Sequence, residues 1–571
     1  MKILGWLILA LILVNGVLAQ EGKIKLLALV QSGEQETGTI ADLSVEIVPG
    51  TQRVFLETFP LTKISTQVSL RFAQQIACRE FEHDCRSKDF FFTMDALPGI
   101  VGGPSAGSAA AVLVASVLEK IPIRSDIAIT GTINSGGIIG PVGGLKKKIE
   151  AAGNNGISTI LIPAGTSQYK DENNATLDLV EFGKKNGLNI VEVSTLGEAM
   201  AIMTGKEYHL SNETLVIEPK YLSLMEQIAD ETCERTVLLK EKVKNVSESV
   251  KNYTLLSEEV KKLNAQYSRA SYCFRSNVLL KQEWFTQESL NPEEISSGAL
   301  AIKKSGILLD KSVSNRSIDT ITDMQATMAV KERLSDVDET LVKILSSLND
   351  TEEASKLLAY AEERLFSAKT WSKFLDGNEN SFSITAEQMK KACITKLGEA
   401  EERINYVRTL LPNALENSRD DLNDAYREFA NSSFVDCIYR ASKSKAEADV
   451  ILSLIGIEKD ELDSAINLKL SIVRDTISKL QKHGIFPITG YSYYEYADSL
   501  KSSDRASSIL FLEYALEFTH LDMYFEQKPV KRILIDKNYV YLAFAFVIGL
   551  LIGIIIQKGF RTKKVQRRKK L

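Results

Sequence analysis

Histidine is scarce in this chain. Among 571 residues there are four histidines, and none lies in a segment that looks like part of a Ser–His–Asp triad: His83, His209, His483 and His520. A serine hydrolase built on this sequence would therefore need a base other than histidine. Lysine is the better candidate for that base.

Several ligand-binding motifs are also missing. The sequence contains no GxxxxGK[ST] motif, which excludes a P-loop ATPase module within it. It contains no CxxC pair, so metal binding is not expected. A net charge of −5 gives no sign of nucleic-acid binding. We therefore expect no cofactor, no nucleotide and no nucleic acid as partners.

What the chain does contain is a serine on a glycine-rich loop. Gly103-Pro104-Ser105-Ala106-Gly107 is followed 43 residues after the serine by Lys148, near the start of an amphipathic stretch. This is the arrangement of a Ser–Lys hydrolase. A free lysine has a pKa near ~10.4, so the amine must be desolvated before it can accept a proton. Val142, Leu145 and Ile149 would provide apolar surroundings if this face turned inward.

The resemblance at these residues is to the proteolytic domain of Lon proteases. Three motifs of that family occur in register, at Gly103–Gly107, Thr130–Thr132 and Gly143–Lys148. With a further match at Ile160–Pro163 they cover about 60 residues. The family register implies that the base is Lys148 and not Lys146. It also implies that Thr130 hydrogen-bonds the lysine. The candidate catalytic set is therefore Ser105, Lys148 and Thr130, with Thr130 orienting the amine.

The chain departs from the family pattern in two places. Many Lon enzymes have Lys-Asp before the serine loop, where this chain has Val101-Gly102, and the glutamate of the TGE turn is Thr132. A plainer interpretation of the loop is a tight turn before an alanine-rich helix at 108–120. A non-catalytic Lon-fold cell-surface scaffold, whose helical region at 207–536 binds partners, is the first alternative. A small-molecule kinase is the second, because glycine-rich loops also cradle phosphates.

The two ends of the chain suggest a membrane protein. Residues 1–19 have the pattern of a secretory signal peptide, and 539–556 form an uncharged apolar stretch long enough to cross a bilayer. The basic tail at 557–571 would be cytoplasmic, so the bulk of the chain would lie outside a cell membrane. Seven Asn-x-Ser/Thr sequons fit that location, and the combination suggests an archaeal protein.

Between these ends the sequence divides into two parts. Residues 22–206 alternate strand and helix patterns, which predicts one α/β domain, and the Lon resemblance implies an α+β sandwich-like form of it. Residues 207–536 show long amphipathic patterns without a fixed period, among them 222–253 and 330–366, which predicts an all-α bundle or repeat array. Its tyrosines and phenylalanines between 491 and 524 are expected in the helix core. Proximity favours the disulfides Cys78–Cys85, Cys233–Cys273 and Cys393–Cys437, out of fifteen possible pairings.

The leading hypothesis is a membrane-anchored serine endopeptidase that cleaves unfolded or flexible proteins without ATP. Because Lon proteolytic domains work as rings, the resemblance also implies a homo-oligomer, with a hexamer as the expected number. A GxxxG spacing at Gly549 and Gly553 in the predicted membrane helix would favour close helix approach.

Overall fold

A computed structural model describes most of the chain between residues 20 and 525. The described ranges are 20–32, 35–59, 64–95, 103–153, 155–170, 176–208, 215–375, 384–411, 416–454 and 462–525. All of them belong to one compact unit, so contacts between the two predicted parts can be read directly.

The first part is built on a mixed seven-stranded sheet. The strands of the sheet are β1 (Gln20–Ser32), β2 (Gln35–Pro49), β3 (Val54–Phe59), β4 (Lys88–Asp95), β5 (Ile127–Ile129), β8 (Thr159–Pro163) and β11 (Asn189–Val193). They run in the order β11-β8-β5-β1-β2-β4-β3. β1 pairs antiparallel with β2 and parallel with β5, so the sheet changes direction at its centre. Two small hairpins also occur among the described residues: β6 (Thr132–Ile133) with β7 (Ile139–Gly140), and β9 (Gln168–Lys170) with β10 (Thr176–Asp178).

Within the described ranges, five helices pack with this sheet. They are α1 (Ile64–Glu80), α2 (Gly107–Glu119), α3 (Leu145–Gly153), α4 (Leu179–Lys185) and α5 (Leu196–Thr204). Helix α2 is buried along almost its whole length, from Gly107 to Leu118. Its alanines and valines are small enough to pack closely against α1 and β1 on all sides. The alternating α and β elements confirm the predicted α/β domain, and the buried α2 gives it a rigid centre.

The second part is helical throughout its described residues. It comprises α6 (Pro219–Lys240), α7 (Glu248–Lys262), α8 (Gln266–Glu288), α9 (Pro292–Ser314), α10 (Ile321–Ser346), α11 (Thr351–Trp371), α12 (Ala386–Leu410), α13 (Glu416–Ala430), α14 (Phe434–Leu454), α15 (Leu462–Lys482), α16 (Ile488–Leu500) and α17 (Arg505–Thr519). Capping boxes begin three of them, at Asn291, Thr320 and Thr385. Two patterns expected to be continuous are interrupted: 222–253 breaks between α6 and α7, and 330–366 breaks between α10 and α11.

The aromatic residues near the end of this part lie in the core, as expected. Tyr493 contacts Phe511, Tyr514 and Phe518 at ring-centroid distances of 5.5 to 5.7 Å. Aromatic pairs in these tilted and edge-on arrangements add to the stability that burial already provides. The interpretation of this aromatic run as helix core is therefore confirmed.

The three favoured disulfides are all present. Cys78–Cys85 closes the end of α1, with a Cα–Cα distance of 6.1 Å. Cys233–Cys273 joins α6 to α8 at 5.1 Å, and Cys393–Cys437 joins α12 to α14 at 5.8 Å. Each cross-link limits the conformations of the unfolded chain, which stabilises the fold.

The predicted membrane localisation is contradicted. Across the described residues, every helix is too short or too polar to traverse a bilayer, which contradicts the expectation of a membrane-anchored, outward-facing protein. The predicted signal peptide at 1–19, the apolar stretch at 539–556 and the basic tail lie outside the described residues.

One buried carboxyl in the helical part predicts a pH dependence of stability. Glu495 on α16 is 8% exposed and accepts a hydrogen bond of 2.9 Å from the Ser268 backbone N–H. Burial raises the pKa of Glu495 to about 7. A carboxyl with a raised folded-state pKa stabilises the fold below its ordinary pKa, and that contribution is lost as the pH rises through about 7.

We therefore expect Glu495→Gln, which keeps the acceptor but never ionises, to match the wild type at pH 4. At pH 8 its free energy of unfolding should be higher than that of the wild type by up to about 3 kcal/mol. Urea unfolding at the two pH values measures the difference. A gap of the same size at both pH values would contradict this explanation.

Candidate active site

The predicted nucleophile lies at the entrance to the buried helix α2. Ser105 is the middle residue of a short 3-10 turn, Pro104–Ala106, that leads directly into α2, and its side chain is half-buried. Gly103 before the turn has φ +127°, a conformation that side-chain-bearing residues rarely adopt. The backbone conformation that presents Ser105 therefore requires glycine at position 103.

Helix α1 holds the serine loop from one side. The Thr66 hydroxyl accepts a hydrogen bond of 3.3 Å from the Gly103 N–H, and the Ser69 hydroxyl donates to the Pro104 carbonyl at 3.3 Å. Both side chains are buried, with exposed fractions of 1% and 5%. Sequence analysis missed these two residues, because nothing local to α1 marks a residue that supports a loop 35 residues later.

The N-terminus of α2 lies next to Ser105. A helix N-terminus presents backbone N–H groups and a partial positive charge, which favours a developing oxyanion. Two hydrogen bonds fix this end of the helix to the segment after β5. The Gly131 N–H donates to the Ser105 carbonyl at 3.2 Å, and the Ser108 N–H donates to the Gly131 carbonyl at 3.1 Å.

The predicted base is buried on the inner face of α3. Lys148 is 2% exposed, and the apolar neighbours expected around it, among them Leu145 and Ile149, are buried with it. Its Nζ donates a hydrogen bond of 3.0 Å to the Thr130 hydroxyl, which is itself fully buried. Burial disfavours the charged form of an amine, so this environment suits a lysine that must be neutral to act as a base.

Thr130 and Gly131 connect the two halves of the site. Thr130 bonds the lysine through its side chain, and the next residue bonds the serine loop through its backbone. The hydrogen bond between Lys148 and Thr130 that the resemblance implied is therefore present. Lys146 and Lys147, on the same helix, remain half-exposed.

The position that departs from the family turn is also buried. Thr132, in place of the glutamate, is fully buried on β6, and its hydroxyl has no hydrogen-bond partner among the described residues. Val101 and Gly102, the other departure, lie outside the described residues.

A cavity of about 300 Å³ in the helical part contains none of the predicted site residues, and its lining is rich in acidic side chains such as Asp310, Asp336, Asp421 and Glu428. No group of three or more His, Cys, Asp or Glu side chains in the described part of the chain could hold a metal ion.

Sequence comparison with known proteins covers the residues of this site. Residues 63–205 match the family described as Lon protease (S16) C-terminal proteolytic domain. This part of the chain carries a Lon-type proteolytic domain. The family is one of serine peptidases, and the matched range includes the serine loop, Thr130 and the lysine helix. It ends at residue 205, before the helical part begins.

Individual relatives carry the same name. Lon protease of Brucella suis biovar 1 (strain 1330) is 39% identical over 125 residues, which are 22% of this chain and 13% of the relative. Lon protease 1 of Hydrogenovibrio crunogenus is 40% identical over 113 residues, 20% and 13% of the two chains. Lon protease of Rhizobium meliloti is 43% identical over 99 residues, 17% and 11%. The chain thus spans 11 to 13% of the length of these curated relatives.

The contact between Thr130 and the lysine predicts a graded effect on hydrolysis. Thr130→Val removes the acceptor and keeps the shape, so the amine loses an orienting hydrogen bond. We expect kcat for a peptide substrate to fall by roughly 10-fold with KM unchanged, because the loss corresponds to about one hydrogen bond. Thr130→Ser, which restores the hydroxyl, should recover most of kcat. Equal losses in the two variants would mean that packing and not the hydrogen bond matters.

Proposed function

We propose that this chain is a serine endopeptidase that uses Ser105 as nucleophile and Lys148 as base, without ATP, on unfolded or flexible polypeptides. The observation that carries the proposal is the buried amine of Lys148, held by Thr130 next to the loop that presents Ser105. Burial disfavours a charged amine, and a neutral amine is what proton transfer from Ser105 requires.

The proposed reaction has two steps. In the first, the neutral Lys148 amine accepts the Ser105 hydroxyl proton while Oγ bonds the scissile carbonyl carbon. Backbone N–H groups of the loop around Ser105 stabilise the oxyanion, and the leaving amine takes the proton from Lys148 as the C–N bond breaks. In the second, the same amine activates a water molecule, which hydrolyses the acyl ester and regenerates the serine.

The substrate class follows from what the sequence can and cannot supply. It contains no P-loop motif, so this chain by itself has no P-loop ATPase with which to unfold a folded substrate. An extended or unfolded polypeptide reaches a half-buried serine most easily, because its backbone is already free of secondary structure. We therefore infer that flexible segments and short peptides are the preferred substrates.

A peptide boronate tests the proposal without knowledge of the natural substrate. Boronates bond to activated serine hydroxyls, so the wild-type full chain should form a one-to-one adduct visible by intact mass measurement, and Ser105→Ala should not. A digest of a peptide library by the same preparation would then define cleavage preference. Absence of both an adduct and cleavage in the wild type would overturn the peptidase proposal and favour the non-catalytic scaffold.

We also propose that the chain works as a homo-oligomer, with a hexamer as the expected number. The support is the resemblance of its α/β domain to Lon proteolytic domains, which work as rings. Sedimentation velocity of the purified chain at micromolar concentration should show a species about six times the 63.3 kDa chain mass. A single monomeric species across the concentration range would contradict the oligomer without affecting the boronate result.

A further inference from the structure

The helical part reaches the turn that leads into the lysine helix. Tyr406 lies on α12, and its hydroxyl accepts a hydrogen bond of 3.0 Å from the Gly143 N–H. The same hydroxyl donates to the Pro141 carbonyl at 2.9 Å. A phenol has one proton to donate and lone pairs to accept, so one side chain satisfies both backbone groups of this turn.

This turn determines where α3 begins. Gly144 has φ +68°, and its carbonyl accepts the hydrogen bond of the Lys148 backbone N–H at 3.1 Å. The first helical hydrogen bond therefore runs from the end of the turn to Lys148 itself. A rotation of the Pro141–Gly144 segment would move the Lys148 side chain relative to Thr130 and the serine loop, because Lys148 lies only one helical turn after Gly144.

Helix α12 is well placed to act as a fixed support. Arg403, one turn before Tyr406, donates a hydrogen bond of 2.5 Å to the Ile133 carbonyl on β6, and its Nε lies 3.2 Å from Asp449 on α14. The disulfide between Cys393 and Cys437 joins α12 to α14 covalently. The helix therefore contacts two backbone segments near the site: the turn before the lysine helix and strand β6, which follows Thr130 and Gly131. The disulfide holds the same helix against α14.

The chemistry of the phenol suits this role over a wide pH range. Desolvation raises the pKa of Tyr406 above its ordinary value. The hydroxyl therefore keeps its proton, and with it the donor to the Pro141 carbonyl, at every pH at which the protein is expected to work.

We propose that Tyr406 is a positioning residue for Lys148, supplied by the helical part of the chain, and that α12 is an integral component of the catalytic unit. The proposal rests on the proposed function, because it assigns Tyr406 a role in that reaction. It also gives the helical part a purpose at this surface other than the capture of partners. Tyr406 does not touch the reacting atoms; it acts through the Pro141–Gly144 turn.

Tyr406→Phe in the full chain tests the proposal kinetically. The ring remains and both hydrogen bonds are lost, so kcat for a peptide substrate should fall by roughly 10- to 100-fold while KM changes less than about twofold, because small displacements of a catalytic group have effects of this size. The pH at which activity is half-maximal should move upward as Lys148 gains water. Tyr426→Phe is the matched control, because Tyr426 is exposed on α13 and its hydroxyl donates to Glu401 on α12 and not to the Pro141–Gly144 turn.

One neighbouring group would complicate the pH profile. Burial raises the pKa of Glu402, adjacent on α12, to about 7. A Glu402→Gln variant identifies the part of the wild-type profile that belongs to this carboxyl. The upward shift expected for Tyr406→Phe should persist in the double variant; its disappearance there would assign the shift to Glu402 and overturn the proposed effect on the lysine.

Hydrogen exchange separates this proposal from the proposed function. In the wild type the Gly143 amide should exchange slowly, and in Tyr406→Phe the amides of 143–148 should exchange at least ~10-fold faster than in Tyr426→Phe. Faster exchange in a chain that hydrolyses nothing would refute the peptidase and keep the positioning contact. Fast exchange of the wild-type Gly143 amide, or a Tyr406→Phe variant with the kinetics and exchange of Tyr426→Phe, would overturn the inference, and the wild-type measurement holds even if the variant fails to fold.

Discussion

Ser105→Ala and Lys148→Ala are each expected to reduce peptide hydrolysis to the uncatalysed background, a loss of at least ~10³-fold, without unfolding the chain. The serine variant lacks the nucleophile. The lysine variant lacks the group that accepts its proton, and no histidine occurs in the matched serine or lysine motifs to replace it. Initial rates with a fluorogenic peptide, together with the far-ultraviolet circular dichroism of each variant, measure both quantities.

Lys146→Ala provides the matched control for this prediction. Lys146 lies on the same helix and remains half-exposed, whereas Lys148 is 2% exposed and bonded to Thr130. The control should therefore change the rate by less than about twofold, in keeping with most surface substitutions. A larger loss at Lys146 than at Lys148 would show that the register of the lysine motif has been misassigned.

The wild-type rate should also rise with pH, since only the neutral lysine can act as a base. Because the double substitution of Ser105 and Lys148 removes groups that act as one unit, it should be no slower than either single variant. A multiplicative loss in the double variant would indicate that the two residues contribute independently, which the dyad does not allow.

The local part of the site followed from the sequence because its determinants are short-range. The glycine and the small residues of α2 lie next to the serine in the sequence, and the apolar neighbours of Lys148 lie next to the lysine. The family register then supplied one contact across 18 residues, between Lys148 and Thr130. The disulfides followed from proximity for the same reason, since the longest of them spans 44 residues.

The remainder depends on contacts that leave no local pattern. Tyr406 bonds the turn at Pro141 across 265 residues, and it is one of 18 tyrosines in the sequence. Amphipathic periodicity shows which face of α12 is buried, but not what lies against it. The breaks near 244 and 348 were missed for a related reason, because the apolar spacing continues through residues whose backbone leaves the helix.

The junction between the α/β part and the helical part also depends on contacts that leave no local sequence pattern. The loop after β6 inserts between α15 and α17, where a Cβ added to Gly136 would lie 2.7 Å from Ile472 and 2.9 Å from Leu516. Gly136 also has φ +73°, so both space and backbone conformation require glycine there. In the sequence this position looks like an ordinary turn. Its partners are more than 300 residues away, so the tight fit emerges only in the folded chain.

A buried carboxylate beside that loop carries the second large prediction. Glu517 on α17 is 1% exposed, accepts a hydrogen bond of 2.6 Å from the Ser135 hydroxyl, and contacts two buried lysines, Lys396 at 2.7 Å and Lys445. Burial alone would raise the pKa of Glu517, but the two ammonium groups outweigh it and hold that pKa well below its usual range. Both lysines depend on this carboxylate for part of their charge compensation.

Glu517→Leu is therefore expected to lower the free energy of unfolding by about 3–5 kcal/mol, because it leaves buried charge incompletely paired. A group with a depressed pKa stabilises the fold above its ordinary pKa, and this contribution is lost only as the pH falls through the folded value. The difference from the wild type in urea unfolding should thus be the same at pH 8 and pH 6. A difference that vanishes at pH 6 would contradict the assignment.

Glu517→Gln distinguishes the charge of Glu517 from its hydrogen bond to Ser135. The amide oxygen can still accept from the Ser135 hydroxyl, but it no longer compensates Lys396 and Lys445. If stranded charge causes the loss, Glu517→Gln should lose most of the stability that Glu517→Leu loses. If Glu517→Gln keeps wild-type stability, the main role of Glu517 is its bond to Ser135. In that case the loop after β6 would detach from α17 in Glu517→Leu, and the α/β part should unfold at a lower urea concentration than the helical part. A single shared transition in Glu517→Leu would instead show that packing around Gly136 is enough to keep the two parts together.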